Sequence, residues 1–69
     1  MERIVGTYVG QGAACPLFRL DDGELITLTG RLPGMLPGSS YEFEGRWRVN
    51  AGCMQGRTFD VQAWAKRAA

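Results

Sequence analysis

From Tyr41 to Val49 the chain alternates without interruption. Tyr41, Phe43, Gly45, Trp47 and Val49 fall on one side of a two-residue period, and Glu42, Glu44, Arg46 and Arg48 on the other. Successive side chains of a strand point to opposite faces, so this period describes a strand with one buried and one wet face. No long segment carries a helical period instead. A strand of this kind needs neighbours, and the sheet it joins must manage its open edges. The chain has sixty-nine residues in which to supply both, enough for one domain over 1–69.

Ten glycines and three prolines punctuate the chain, a density that favours short strands and tight turns. Four further strands are predicted. The first runs from Arg3 to Val9, with Gly6 and Gly10 allowing a bend or bulge. The second is Pro16 to Leu20, and the third Glu24 to Thr29. Asp21-Asp22-Gly23 between them is a strong hairpin signal, because glycine accepts the positive φ that tight turns need. The fifth is Thr58 to Ala65, with Phe59, Val61 and Ala63 inward and Asp60, Gln62 and Trp64 outward. The tail from Lys66 reads as frayed.

"RLPGMLPGSS" precedes the alternating strand. Each proline fixes its own φ and biases the preceding leucine away from helix, and Pro-Gly is a turn pair. The segment therefore reads as a compact connection with room for one helical turn, and Leu32, Met35 and Leu36 tucked beneath it as a core plug. Five short, glycine-bent strands in so small a chain predict closure into an all-β barrel, which removes the exposed edges. The five-stranded OB-like barrel is the leading architecture, with its usual helix reduced to the Leu-Pro-Gly connection. An SH3-like barrel is the alternative. A domain this small buries only about 60% of its unfolded surface, so little stability is in reserve.

The residues from Ile4 to Val61 resemble the N-terminal OB-like domain of RecD-like DNA helicases, the exodeoxyribonuclease V alpha-subunit-like proteins. The matching positions are Thr29-Gly30, Leu32-Pro33, Gly38, Gly45-x-Trp47 and Gly56-Arg57-x-Phe59-x-Val61, with "LFRLDDG" matching a further element. The resemblance implies a module that sits beside nucleic-acid enzymes, touching DNA or organising protein contacts. The Gly-x-x-x-x-Gly-Lys-Ser/Thr phosphate loop of a helicase is not in this sequence, so ATPase activity does not carry over.

Net charge counts mildly against such a role. The net charge is +1, far from the footprint of a general nucleic-acid binder. Seven of the eight basic residues are arginine, whose planar fork suits phosphate and stacks on rings. Biased codon usage accounts for that excess equally well. The chain has no histidine and two cysteines, too few for a structural zinc site. Cys15 and Cys53 read as reduced thiols of a cytoplasmic protein, although a disulfide is open to them. "MERIVGTYVG" does not read as a signal peptide, and no run approaches a membrane span.

Nothing in the sequence pairs a catalytic acid with a base. Asp21, Asp22, Glu24, Glu42, Glu44 and Asp60 fall at turns or on wet faces. OB-folds that bind single strands combine a basic groove with stacking rings, on the face of the second and third strands and the loops after strands one and four. The parts available are Arg57, Trp64, Arg19, Tyr8, Arg46 and Arg48, with Thr27 and Thr29 between them. Tyr8 and Trp64 are expected to point away from the core, where they either stack bases or cover a barrel end or dimer contact. Arg46 and Arg48 share a face with Glu42 and Glu44, so cross-strand ion pairing competes with phosphate binding for them. Arg57, at a loop end, is the best phosphate candidate.

The expectation is a non-catalytic binding module for single-stranded DNA or RNA, without cofactor, metal or membrane. The alternative is a protein-interaction barrel without nucleic-acid affinity, docking on a larger DNA-processing protein or pairing with itself. "GCMQG" offers that second role an adaptable, Met-bearing loop.

Overall fold

The computed structural model describes residues 1–49, 52–53 and 56–67. Five strands run in order: β1 (Glu2–Gln11), β2 (Pro16–Leu20), β3 (Leu25–Gly30), β4 (Ser40–Arg48) and β5 (Thr58–Lys66). They close into a barrel in the order β1-β2-β3-β5-β4. Neighbours are antiparallel except β3 and β5, which pair in parallel from Thr27↔Thr58 to Gly30↔Val61. This is the expected OB-like barrel. Residues 31–39 carry the chain from β3 to β4 with no helical turn, so the helix is replaced outright.

The hairpin between β2 and β3 forms where Asp-Gly predicts it. Gly23 sits at φ 97°, and its amide donates to the Leu20 carbonyl at 2.8 Å. The Asp22 carboxylate accepts the Glu24 amide at 2.8 Å, which fixes the exit of the turn. Closure of the barrel brings backbones close together. A Cβ on Gly45 would run into the Asp60 carbonyl oxygen across β4 and β5, and one on Gly6 would strike the Arg19 carbonyl.

The core is Ile4, Phe18, Ile26, Leu28, Tyr41, Phe43, Phe59 and Val61. Its rings meet in pairs: Phe18 with Phe43 at 4.9 Å, and Tyr41 stacked on Phe43 at 5.7 Å between centroids. Leu32 and Met35 pack against this core from the β3–β4 connection, as a plug must. Leu36 does not; it is 73% exposed. The second Leu-Pro-Gly triplet instead serves the backbone: Ser39 donates to the Leu36 carbonyl, and Gly38 to the Tyr8 carbonyl.

Two further side-chain expectations are corrected by strand geometry. Tyr8 points to the core side rather than away from it, because it shares the face of Ile4 and Gly6 and is covered where Ser39 bonds its amide. In β5 the expected alternation breaks at Gln62. Gly45 faces Val61 while Glu44 faces Ala63, so Gln62 is an unpaired bulge residue. Beyond the bulge the faces exchange. Ala63 becomes exposed, and Trp64, opposite Phe43, leans on the Tyr41 ring edge-on at 6.3 Å.

The cysteines are a further correction. Cys15 and Cys53 are joined in a disulfide with Cα atoms 5.3 Å apart, so the described chain holds no free thiol. The bond ties the β1–β2 connection to the β4–β5 connection. The expected tail is held as well: Lys66 ends β5, and Arg67 donates its amide to Ser40 and pairs with Asp21 at 3.1 Å. Ala68 and Ala69 lie outside the described residues, as do Met54 and Gln55 of the "GCMQG" segment.

Candidate nucleic-acid interface

The candidate residues divide between places on the barrel. Tyr8 and Trp64 belong to the end where β4 begins: Thr7 faces Ser40, and Trp64 faces Phe43. Tyr8 is half-buried and packs against the core. Trp64 remains 49% exposed while covering Tyr41. Arg19 lies on β2 and donates to the Gly23 carbonyl at 3.3 Å, folding back over its own hairpin. Arg46, Arg48 and Arg57 gather at the opposite end, where β4 finishes and β5 begins.

A groove of about 500 Å³ opens there, lined by Met1, Arg46, Trp47, Arg48, Val49, Asp60 and Gln62. Strand register explains its chemistry. Arg46 and Arg48 occupy the wet face of β4, opposite Asp60 and Thr58 of β5. Asp60 is already engaged: its carboxylate accepts the Thr29 hydroxyl at 3.0 Å and the Gln62 amide at 2.7 Å. Arg48 approaches it only to 3.8 Å, a weak surface contact. The carboxylates of Glu42 and Glu44 turn to Arg3 of β1, at 3.2 and 3.3 Å. These carboxylates have other partners, and Arg46 has no hydrogen bond or ion pair among the described residues.

Trp47 is the residue that reading by period alone assigns to the core. It does pack inward, meeting Phe59 edge-on at 5.0 Å. It also lines the groove, and the guanidinium of Arg57 lies over its ring at 3.9 Å from the centroid. Its placement near the end of β4, between Arg46 and Arg48 in sequence, is the signal that marks it.

Arg57 is not the open phosphate ligand that its position suggested. Its Nε and Nη2 donate to the two carboxylate oxygens of Glu24, at 2.7 and 2.6 Å. The Nε–Nη2 edge of the guanidinium is filled, while Nη1 has no partner among the described residues. Hydrogen bonding from Arg57, followed by its charge, holds the Glu24 carboxyl below its ordinary pKa, and the same contacts raise that of Arg57. The backbone here is held too: the Thr27 amide donates to the Arg57 carbonyl at 2.9 Å, and the Thr27 and Thr58 hydroxyls bond at 2.7 Å beneath the surface.

No family model, curated protein or solved structure matches this chain. No helix among the described residues is long and apolar enough to cross a membrane.

Proposed function

We propose that this barrel is a non-catalytic module that binds single-stranded DNA or RNA along the groove where β4 ends and β5 begins. The observation that carries the reading is Trp47, a ring lining an open groove between Arg46, unpaired among the described residues, and Arg48, which only approaches Asp60 at 3.8 Å. Such a pairing of stacking ring and cation is what sequence-tolerant single-strand binding uses. In this reading Arg46 and Arg48 meet phosphates, while Met1, Trp47 and Val49 offer apolar surface to bases. Arg19, Tyr8 and Trp64 lie elsewhere and have no part in the groove. The resemblance to RecD-like helicases supports the same role, with a larger DNA-processing protein as the natural neighbour.

A second reading has its own support. The Cys15–Cys53 bond favours an oxidising setting over the cytoplasm expected from the sequence. There, a small barrel with Trp64 and Val49 exposed would meet a protein, or a second copy of itself.

A titration of fluorescently labelled single-stranded DNA at low and moderate salt separates the two. The nucleic-acid reading predicts salt-sensitive binding, with log K falling by about 0.7 per neutralised phosphate for each log unit of salt. Arg46→Ala and Arg48→Ala each weaken it. No binding at high micromolar protein and low salt overturns it, and light scattering then tests for a dimer.

A further inference from the structure

Glu24, Arg57 and Trp47 form a contiguous set beside the groove that Trp47 lines. The Arg57 guanidinium is planar and lies on the Trp47 ring, 3.9 Å from its centroid. Its Nε–Nη2 edge is filled by both oxygens of Glu24. We infer that this stack is a self-occupied nucleotide subsite: the Arg57 plane covers Trp47 as a nucleobase would, and the Glu24 carboxylate fills the Arg57 fork as a phosphate would. The inference rests on the nucleic-acid reading and adds a site and a controlling residue to it.

The chemistry of each contact has a nucleotide counterpart. Guanidinium and base both stack on an indole through a flat, polarisable face. Carboxylate and phosphate both take the arginine fork through two parallel hydrogen bonds. One nucleotide can therefore replace both protein groups in a single exchange. Its phosphate displaces Glu24 from Arg57, the arginine swings off the ring, and the base takes the ring. The exchange disturbs no core packing, because the Arg57 and Glu24 side chains are 56% and 36% exposed. Trp47 keeps its edge contact with Phe59 throughout. The ring also lines the Arg46–Arg48 groove, so a strand lying there reaches the subsite without leaving the surface.

Glu24 is then the residue that sets affinity, as a built-in competitor for Arg57. The Asp22 and Glu2 charges that also bear on Arg57 add to the repulsion a phosphate must overcome.

The test uses the whole chain with Trp64→Phe, so that Trp47 is the sole indole. The probe is a thymidine oligonucleotide of about eight residues, within the site size of one OB barrel. Glu24→Gln, which keeps the shape and removes the charge, is expected to bind roughly 3- to 10-fold tighter than its parent, as one charged contact becomes available. Its salt dependence steepens by about 0.7, one phosphate contact more. Trp47 emission is quenched more deeply at saturation. Adding Arg57→Ala to Glu24→Gln removes the gain. Glu44→Gln, which deletes the same charge from the Arg3 pair, leaves affinity within about twofold, because exposed charges at a distance are screened. Circular dichroism of each variant establishes the fold.

Binding by the parent that Glu24→Gln does not tighten overturns the subsite and leaves the groove reading standing. Equal tightening by Glu44→Gln also overturns it, since the effect is then general charge. Failure of both parent and Glu24→Gln to bind removes the groove reading and the subsite together.

Discussion

Cys15 and Cys53 are bonded across a separation of 38 residues, joining the connection that follows β1 to the connection that follows β4. Cys53 itself is buried. A loop of that length removes chain entropy from the unfolded state worth about 4 kcal/mol in the loop-closure account. For a domain whose whole stability is of order 5 kcal/mol, that is most of it. Reduction is therefore expected to lower the melting temperature by roughly 15–30 °C. Thiol titration of the denatured, unreduced protein should find no free thiol. Two titratable thiols, or an unchanged melting curve in reductant, would contradict the cross-link.

The hydroxyls of Thr27 and Thr58 bond to each other at 2.7 Å in a buried position between the parallel strands. Thr27→Val keeps the volume and strands the Thr58 hydroxyl, at a cost of about 1–3 kcal/mol. Thr58→Val should cost less, because the Thr27 hydroxyl still donates to the Arg57 carbonyl at 3.3 Å. The double variant leaves neither hydroxyl orphaned, so it should cost clearly less than the sum of the singles. Urea unfolding of the four proteins measures the coupling. Simple additivity would show that the pair does not act as a unit.

Gly45 leaves no room for a side chain, since its Cβ would meet the Asp60 backbone carbonyl. Neither strand can yield without breaking the pairing beside the Gln62 bulge. Gly45→Ala should therefore destabilise by at least about 2 kcal/mol. Gly34, in the β3–β4 connection, faces open space and has no positive φ. Gly34→Ala should be neutral or stabilising by up to about 1 kcal/mol, through the unfolded chain. Chemical denaturation of both variants checks the contrast.

Glu24 has its pKa lowered by Arg57, chiefly through the hydrogen bonds. A carboxyl depressed in the folded state stabilises above its unfolded pKa, near the ordinary value of 4.5, and that contribution is lost as pH falls through the folded value. The wild type should melt higher than Glu24→Gln at pH 7. The gap should close progressively as pH is lowered from 4.5. The pair is exposed, so added salt should shrink the gap at pH 7 as well. A gap that grows on acidification would contradict the assignment.

The strands were legible because their alternation is local. Tyr41, Phe43, Gly45 and Trp47 face inward from β4 as their spacing requires, and Asp22-Gly23 turns the chain where the pair predicts. Barrel closure followed from the number of short strands and the glycines that let them bend. Contacts set by the closed barrel were not legible. Nothing near Gln62 in sequence marks a bulge; it exists because β4 and β5 must coil past each other at Gly45. That one extra residue moved Trp64 to the Tyr41 side and Ala63 outward. Tyr8 is covered by a connection thirty residues away in sequence. The candidate site was legible in its residue types and less so in its grouping. Arg46, Arg48 and Arg57 do converge, but on Trp47 rather than Trp64, and Glu24 reaches Arg57 across 33 residues. Cysteine spacing carries no pairing information, and only the proximity of two connections on the closed barrel joins Cys15 to Cys53.

The central claim is that the end of β4 and the start of β5 receive single-stranded nucleic acid. Its most direct measurement is an amide and side-chain nitrogen NMR titration of the oxidised protein with a short thymidine oligonucleotide at low salt. The account predicts shifts concentrated at the Trp47 indole N–H and at the Arg46, Arg48 and Arg57 Nε groups, reversed by added salt. Tyr8, Arg19 and the Trp64 indole should stay near their starting positions. No shifts at high micromolar oligonucleotide, or shifts centred on Trp64 with Trp47 unmoved, would contradict it.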